Sequence, residues 1–344
     1  MATEREIVAP VDLCDARGRL NPAARGWARQ PMLNANLRGR WGRKKRWDYW
    51  AVITDELVVS CVNAHIDYAG LANVWVMEHA TGAQTTAGML APFGRGIGLP
   101  AQVCTGVQSV THKALQLRIE ETADATRLVA TAPKGKGALA GAIHFDLRGA
   151  KPTGHESLNV LIPWSDRTFQ FTSKQNTRPV TGTVQVGDRE WAVGPEHDAW
   201  GVQDLGRGIW PYSNRWNWAA ASGHAADGRT VGLQFGGKWT VGTGATENAL
   251  CIDGRLTKIS DELEWSYDWA DPMAPWRVRT PGSDQVDATL TPTFDRYDVT
   301  DLKVLRMEVH QCFGTWAGRV VGDDGVPVEF DGVRGFAEEA RNKW

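Results

Sequence analysis

A chain of 344 residues is about twice the usual size of one domain, which leaves room for two domains or one large β architecture. Its 38 basic and 40 acidic residues give a formal charge of -2, excluding a global attraction to nucleic acid or to an anionic membrane and favouring small or apolar ligands. Five scattered cysteines (Cys14, Cys61, Cys104, Cys251, Cys312), never spaced as CxxC, indicate neither a disulfide framework nor a zinc site, and point to a reducing compartment.

The opening stretch MATEREIVAPVDLCDARGRL has no apolar run that suits a signal peptide, and no later segment is long and apolar enough to span a bilayer. A soluble, cytoplasmic protein without stable membrane insertion is expected. Residues 1–40 lack sustained periodicity and carry Gly18, Pro22, Gly26, Pro31 and Gly39, so they read as an irregular arm lying on the first domain. In RGRWGRKKRWDYW, residues 38–50, basic side chains interleave with aromatic rings. This reads as a solvated basic turn entering a strand, and no nucleic-acid partner is expected. Stacking on single strands, or docking the acidic head of an amphipathic ligand or its membrane source, are the other uses such a patch has.

From Trp47 onward, short alternating runs separated by turn residues predict an all-β chain. Leu115, Leu117 and Ile119 alternate with polar neighbours, as do Leu305, Met307 and Val309. Asp227-Gly228, Asp253-Gly254, Asp324-Gly325 and Asp331-Gly332 are candidate tight hairpins in an antiparallel meander. The polar stretch SKQNTRPVTG, residues 173–182, suggests a boundary between a first β domain, 41–175, and a second, 176–344.

The unusual number is 17 Trp beside 9 Phe and 5 Tyr. Indole is bulky and brings an N–H that wants a partner when buried, so this abundance suggests a ligand-facing surface as well as packing. It concentrates in DLGRGIWPYSNRWNWAAASG, residues 204–223. Strand alternation there puts Trp216, Trp218, Ala220 and Ser222 on one face, two large rings followed by a recess. The preceding EHDAWGVQDLGRGIW brings His197, Asp198, Asp204 and Arg207 toward the same strand. A carboxyl group placed among indoles is desolvated and holds its proton, which makes Asp204 the candidate acid, with His197 and Asp198 as candidate catalytic partners. The competing structural reading is an Asp204–Arg207 bridge pinning a loop, and a paired Asp is a poor acid. Trp210, Tyr212, Trp216, Trp218, Arg207, Asn248, Trp50 and Asp67 are the candidate substrate-binding residues. The eight histidines never adopt metal-site spacing, FGRGIG and DLGRGIW fail the dinucleotide fingerprint, and neither a Walker motif nor a GxSxG elbow is present. Neither metal nor cofactor is expected.

KRWDYWAVITDELVVSCVNAHIDYAG, DLGRGIWPYSNRWNWAAASG, TENALCIDGRLTKI, PWRVRTP, and FGTWAGRVV followed by GVRGFAEEARNKW resemble an uncharacterised bacterial and fungal family of domain-of-unknown-function proteins over nearly the whole chain. That family is distantly similar to the tandem-lipocalin superfamily of carotenoid 1,2-hydratases, tocopherol cyclases and Diels-Alderase-like proteins. The resemblance implies two successive lipocalin- or calycin-like antiparallel β-barrels or half-barrels, with a ligand pocket in or between them. It also implies isoprenoid- or polyketide-like substrates and cofactor-free hydration, dehydration or cyclisation, with Asp204 as the matching acid and Trp210, Trp216 and Trp218 as the wall. Two other functions fit the residues: a lipid-binding protein without turnover, and a carbohydrate-active protein with Trp platforms and a carboxylate pair drawn from Asp198, Glu247 or Glu308. The oligomeric state is open.

Overall fold

The computed structural model describes residues 3–301 and 305–344. Among these, regular structure is strand, with two single-turn 3-10 segments (Pro22–Ala24 and Pro195–His197) and no α-helix. None of the described helices is long and apolar enough to cross a membrane. Two large antiparallel sheets curl into half-barrels, as the all-β tandem expectation requires.

The first sheet runs, in spatial order, from Lys136–Gly137 through Gln84–Pro92, Ala69–Glu78, Leu57–His65, Lys44–Ile53 and Trp200–Ile209 to Phe169–Val186. It continues to Ile143–Ala150, Ala125–Ala132, Leu115–Glu121 and Val107–His112. The second is ordered Arg255–Ile259, Asn248–Ile252, Thr230–Gly237, Ser213–His224, Pro327–Lys343, Arg306–Val321, Val286–Asp301, Trp276–Arg279 and Glu264–Ser266. Alternation explains the burial. Leu115, Leu117 and Ile119 point into the first half-barrel with Trp50, Phe145 and Val184, while Ala219, Leu233, Trp276 and Trp316 fill the second.

Three Asp-Gly pairs lie in turns between consecutive strands, and at Asp253-Gly254 both residues have positive φ (48° and 75°), as a tight primed turn demands. Asp331-Gly332 does not. It sits inside Pro327–Lys343 as a bulge, where Trp316 pairs Val333 but Gly318 pairs Phe330, and Gly332 takes φ 79°. The SKQNTRPVTG stretch is likewise no linker. It lies within Phe169–Val186, bulged between Gln175 and Arg178 around Thr177 at φ 51°, and the chain changes sheet only after Ile209. Its polar residues have different causes: Lys174 faces the other sheet, Asn176 Nδ2 donates to Leu233 O, Thr177 N donates to Ser222 Oγ, and Arg178 Nη2 donates to Gly149 O.

The arm begins as expected on the first sheet, with Trp27–Ala28 pairing Asn159 and Val160. It also reaches the second: Glu4 accepts from Ser260 and bridges Lys258 at 2.7 Å. The half-barrels meet through their outer faces. Ala51, Val58, Trp75 and Met77 of the first pack on Trp218, Ala220, Phe313 and Phe336 of the second.

Candidate functional site

Where these outer faces separate, they leave a cavity of about 290 Å³. Six of the chain's indoles line it: Trp47, Trp210, Trp216, Trp218, Trp239 and Trp344. Trp210 is the hub. Its ring stacks on Trp239 (5.6 Å between centroids, 7° between planes) and meets Trp47, Trp216 and Trp344 edge-on at 5.6, 5.8 and 5.6 Å. Its Nε1 donates to Gln170 Oε1 at 2.6 Å, which satisfies the polar atom that makes a buried indole costly.

Pairing register places the polar groups. On the first sheet, Lys174, Asp204, Tyr49 and Val62 form one cross-strand row facing the cavity. The neighbouring row is Thr172, Gly206, Trp47 and Ala64. Gly206 matters because a Cβ there would lie 2.2 Å from the Trp47 ring. Without it the indole folds over the strand and donates to Asp204 Oδ2 at 2.9 Å. On the second sheet the facing row is Gly236, Trp218, Glu338, Gln311 and Arg296. A Cβ on Gly236 would lie 2.7 Å from Glu247, so glycine again makes room for a functional group.

Three carboxyl groups therefore share a water-poor space. Asp204 takes Trp47 on one oxygen and Thr172 (3.1 Å) and Lys174 (3.1 Å) on the other, an arrangement suited to an acceptor. Lys174 also lies 3.3 Å from Glu247 Oε1 and 3.8 Å from the centre of the Trp218 ring. Glu338 accepts from Trp216 Nε1 at 2.8 Å and from Gln311 Nε2 at 3.0 Å. Burial pushes Glu338 up to about 7, against the lowering effect of the Trp216 bond. Burial also pushes Glu247 up to about 7, opposed by Lys174 and assisted by the Asp204 charge. Tyr49 is likewise pushed up, by burial, to about 12. Lys174 and Arg296 favour the ionised form of Glu338, and Lys174 that of Glu247, but burial outweighs them at both acids.

The structure brings Asp204, Trp210, Trp216 and Trp218 together in this cavity, and separates the other predicted site residues from it. Arg207 does not bridge Asp204. Three residues along a strand it points to the opposite face, where its Nη1 is 2.6 Å from buried Asp48 inside the first half-barrel. The same alternation buries Trp50 in that interior, under Arg178. His197 lies on an exposed turn near Asp55 (3.2 Å) and Glu56 (3.5 Å), and Asp198 bonds Trp200 Nε1 and Arg334. Asn248 holds backbone, accepting from Gly236 N and donating to Asp261 O. Asp67 pins a turn at the cavity's rim, accepting from Gly42 N at 2.7 Å and pairing with Lys44 and Arg46. Tyr212 is half exposed beneath the Arg43 guanidinium.

Lys174, Glu338, Gln311, Trp47, Trp239 and Trp344 are site residues that sequence pattern alone does not single out. Alternation in FAEEARNKW sets Glu338, Ala340 and Asn342 on one face, and in FQFTSK it sets a polar face opposite two phenylalanines; both signals are present in the chain. The Asp55, Glu56 and His197 side chains offer ligand atoms within 4.8 Å of one another, the described group best arranged for a metal ion, but none lines the cavity.

Residues 4–344 match the family described as domain of unknown function (DUF2804). No functionally curated protein matches the sequence. Among solved structures, CghA with Sch210972 is similar at 12% identity and a TM-score of 0.53, over 87% of this chain and 88% of that one. Kievitone hydratase from Nectria haematococca (9%, TM-score 0.46, 87% and 88%) and a putative AttH from Nitrosomonas europaea (13%, TM-score 0.40, 86% and 92%) are more distant. The family resemblance carried by the sequence motifs is borne out, and the likeness to CghA extends to the fold.

Proposed function

Because the chain belongs to the DUF2804 family and holds buried acids in an indole-walled cavity, we propose that it binds a hydrophobic small molecule there and transforms it by acid catalysis without a cofactor. The observation that carries this reading is the Glu338 carboxyl group, buried beside the Trp216 and Trp218 rings, where desolvation pushes it up to about 7. A proton passes from the Glu338 carboxyl to an alkene carbon of the ligand, leaving the Glu338 carboxylate and a carbocation. Indole faces stabilise that cation where water is scarce. Attack by water with loss of its proton to the Glu338 carboxylate gives hydration; attack by an internal alkene followed by proton loss to Glu338 gives cyclisation. The reverse of the first sequence is dehydration.

In this scheme the acid passes from Asp204 to Glu338. Asp204 and Lys174 form a fixed pair that holds Trp47 and keeps charge near Glu247. Isoprenoid- or polyketide-like ligands suit the carbon-rich walls better than sugars, since the carboxyl groups already bond indole, glutamine and lysine. The cytoplasm is the proposed compartment, in keeping with five free cysteines.

Native mass spectrometry of the purified protein followed by a turnover screen of prenylated and polyene compounds tests the function. A bound hydrophobic compound converted to an isomer, or to a product differing by one water, is the expected result. A ligand bound but never converted, by wild type and Glu338→Gln alike, would reduce the protein to a carrier.

A further inference from the structure

The rim of the cavity coincides with a group of surface turns that the proposed chemistry does not use. The 39–43 turn is held to the 65–69 turn by the bond from Gly42 N to Asp67 Oδ2. The 93–98 loop is held to the same turn by Phe93 N donating to Tyr68 O, and Gly94 lies against the His65 ring. Arg46 and Ile66, beside these turns, line the cavity. The tips carry Trp41 and Phe93, 67% and 61% exposed. An apolar cross-strand row, Trp47, Ala64, Leu71 and Leu90, leads from the cavity wall to the sheet's margin, where Leu90 is 76% exposed. Arg38, Arg40 and Arg95 stand exposed on the same turns and make no ion pair among the described residues, while Asp67 within the group is already paired with Lys44 and Arg46.

We propose that this end of the molecule docks on an anionic lipid bilayer, Trp41, Phe93 and Leu90 entering the interface and Arg38, Arg40 and Arg95 meeting the headgroups. Large apolar rings on turn tips, ringed by cations, match an interfacial region where apolar depth and negative charge lie within a few ångströms of each other. The rings stand on two separate turns beside an exposed leucine, apolar bulk that suits a bilayer better than a nucleic-acid strand. The apolar row then gives a hydrophobic ligand a path from bilayer to cavity without crossing water. That last step rests on the function proposed above; docking itself does not.

Sedimentation of the full chain with phosphatidylcholine vesicles, with and without phosphatidylglycerol, tests the proposal. Binding is expected only with phosphatidylglycerol and is expected to weaken with salt. Arg38→Glu with Arg40→Glu, and separately Trp41→Ser with Phe93→Ser, are expected to weaken it by more than about tenfold. Nile red uptake by the cavity should be unchanged in both variants, which shows that they fold. Equal binding to both vesicle types, equal binding by the variants, or displacement of vesicles by a single-stranded oligonucleotide would overturn docking. Vesicle binding together with a cavity that takes up no Nile red would leave docking standing and refute the proposed function.

Discussion

The Trp216 indole donates to Glu338 Oε1 at 2.8 Å across two paired strands of the second sheet, so an indole of the cavity wall directly orients the most favourably placed acid. Replacing Glu338 by Gln keeps the size and an acceptor for Trp216 but removes the transferable proton. Turnover is expected to fall by about 10²- to 10⁴-fold with ligand affinity nearly unchanged. In the wild type the rate should decline as pH rises through about 7, where the acid form is lost. Steady-state kinetics across pH, beside fluorescence titration of the variant, check both.

The same group affects stability. In the unfolded chain Glu338 loses its proton near 4.5, but in the fold near 7. Between those values the folded state binds more protons, so this group's contribution to stability falls as pH rises. His155, lowered to about 4 by burial and by Arg178, contributes a slope of opposite sign between 4 and 6.5, so the wild-type curve alone is ambiguous. The difference between wild type and Glu338→Gln isolates the carboxyl group's share: the variant should gain on wild type by roughly 1–3 kcal/mol from pH 5 to pH 7.5. Urea denaturation at several pH values measures it.

Lys174→Met removes the cation shared by Asp204 and Glu247. Two buried carboxyl groups then lose their compensation, and the cost is expected to be roughly 3–5 kcal/mol at pH 8. The loss should shrink at pH 5, where Glu247, pushed up to about 7 by burial, holds its proton. Thermal unfolding at the two pH values decides it, and a pH-independent loss would refute the charge argument.

Gly206→Val places side-chain atoms where the Trp47 ring and the Gln170 amide now lie. Displacing Trp47 strips Asp204 of a donor and deforms one cavity wall. A stability loss of about 1–3 kcal/mol and a shift in tryptophan emission are expected, with ligand binding weakened more than by Gly206→Ala.

Arg207→Leu provides the contrast. It abandons Asp48 inside the first half-barrel and should destabilise by several kcal/mol, roughly as breaking any buried pair does. Ligand affinity of the folded fraction should be preserved, because the side chain lies on the far side of the sheet.

Alternation makes much of this legible. It identifies Trp216 and Trp218 as neighbours on one face of the second sheet and Asp204 on the cavity-facing side of the first; the packing of the two sheets brings them to one cavity. Periodicity cannot say which strands become adjacent, and Glu338 reaches Trp216 from more than a hundred residues away. Pairing Arg207 with Asp204 counts sequence distance where face decides; Trp47 and Trp50, also three apart, likewise lie on opposite faces. SKQNTRPVTG misleads because polarity suggests a linker, whereas Lys174 faces the cavity and Asn176, Thr177 and Arg178 make buried bonds to Leu233 O, Ser222 and Gly149 O.

Each half-barrel keeps its own apolar interior, and the cavity is built from the faces those interiors turn away. Fold and chemistry thus draw on alternate residues of the same strands. At Trp216 and Trp218 a substitution alters the cavity wall, whereas at Ala219 and Ala221, beyond them on the same strand, it alters the packed interior of the second half-barrel. Such interleaving lets the cavity wall change by point substitution while the residues that hold each half-barrel together remain untouched.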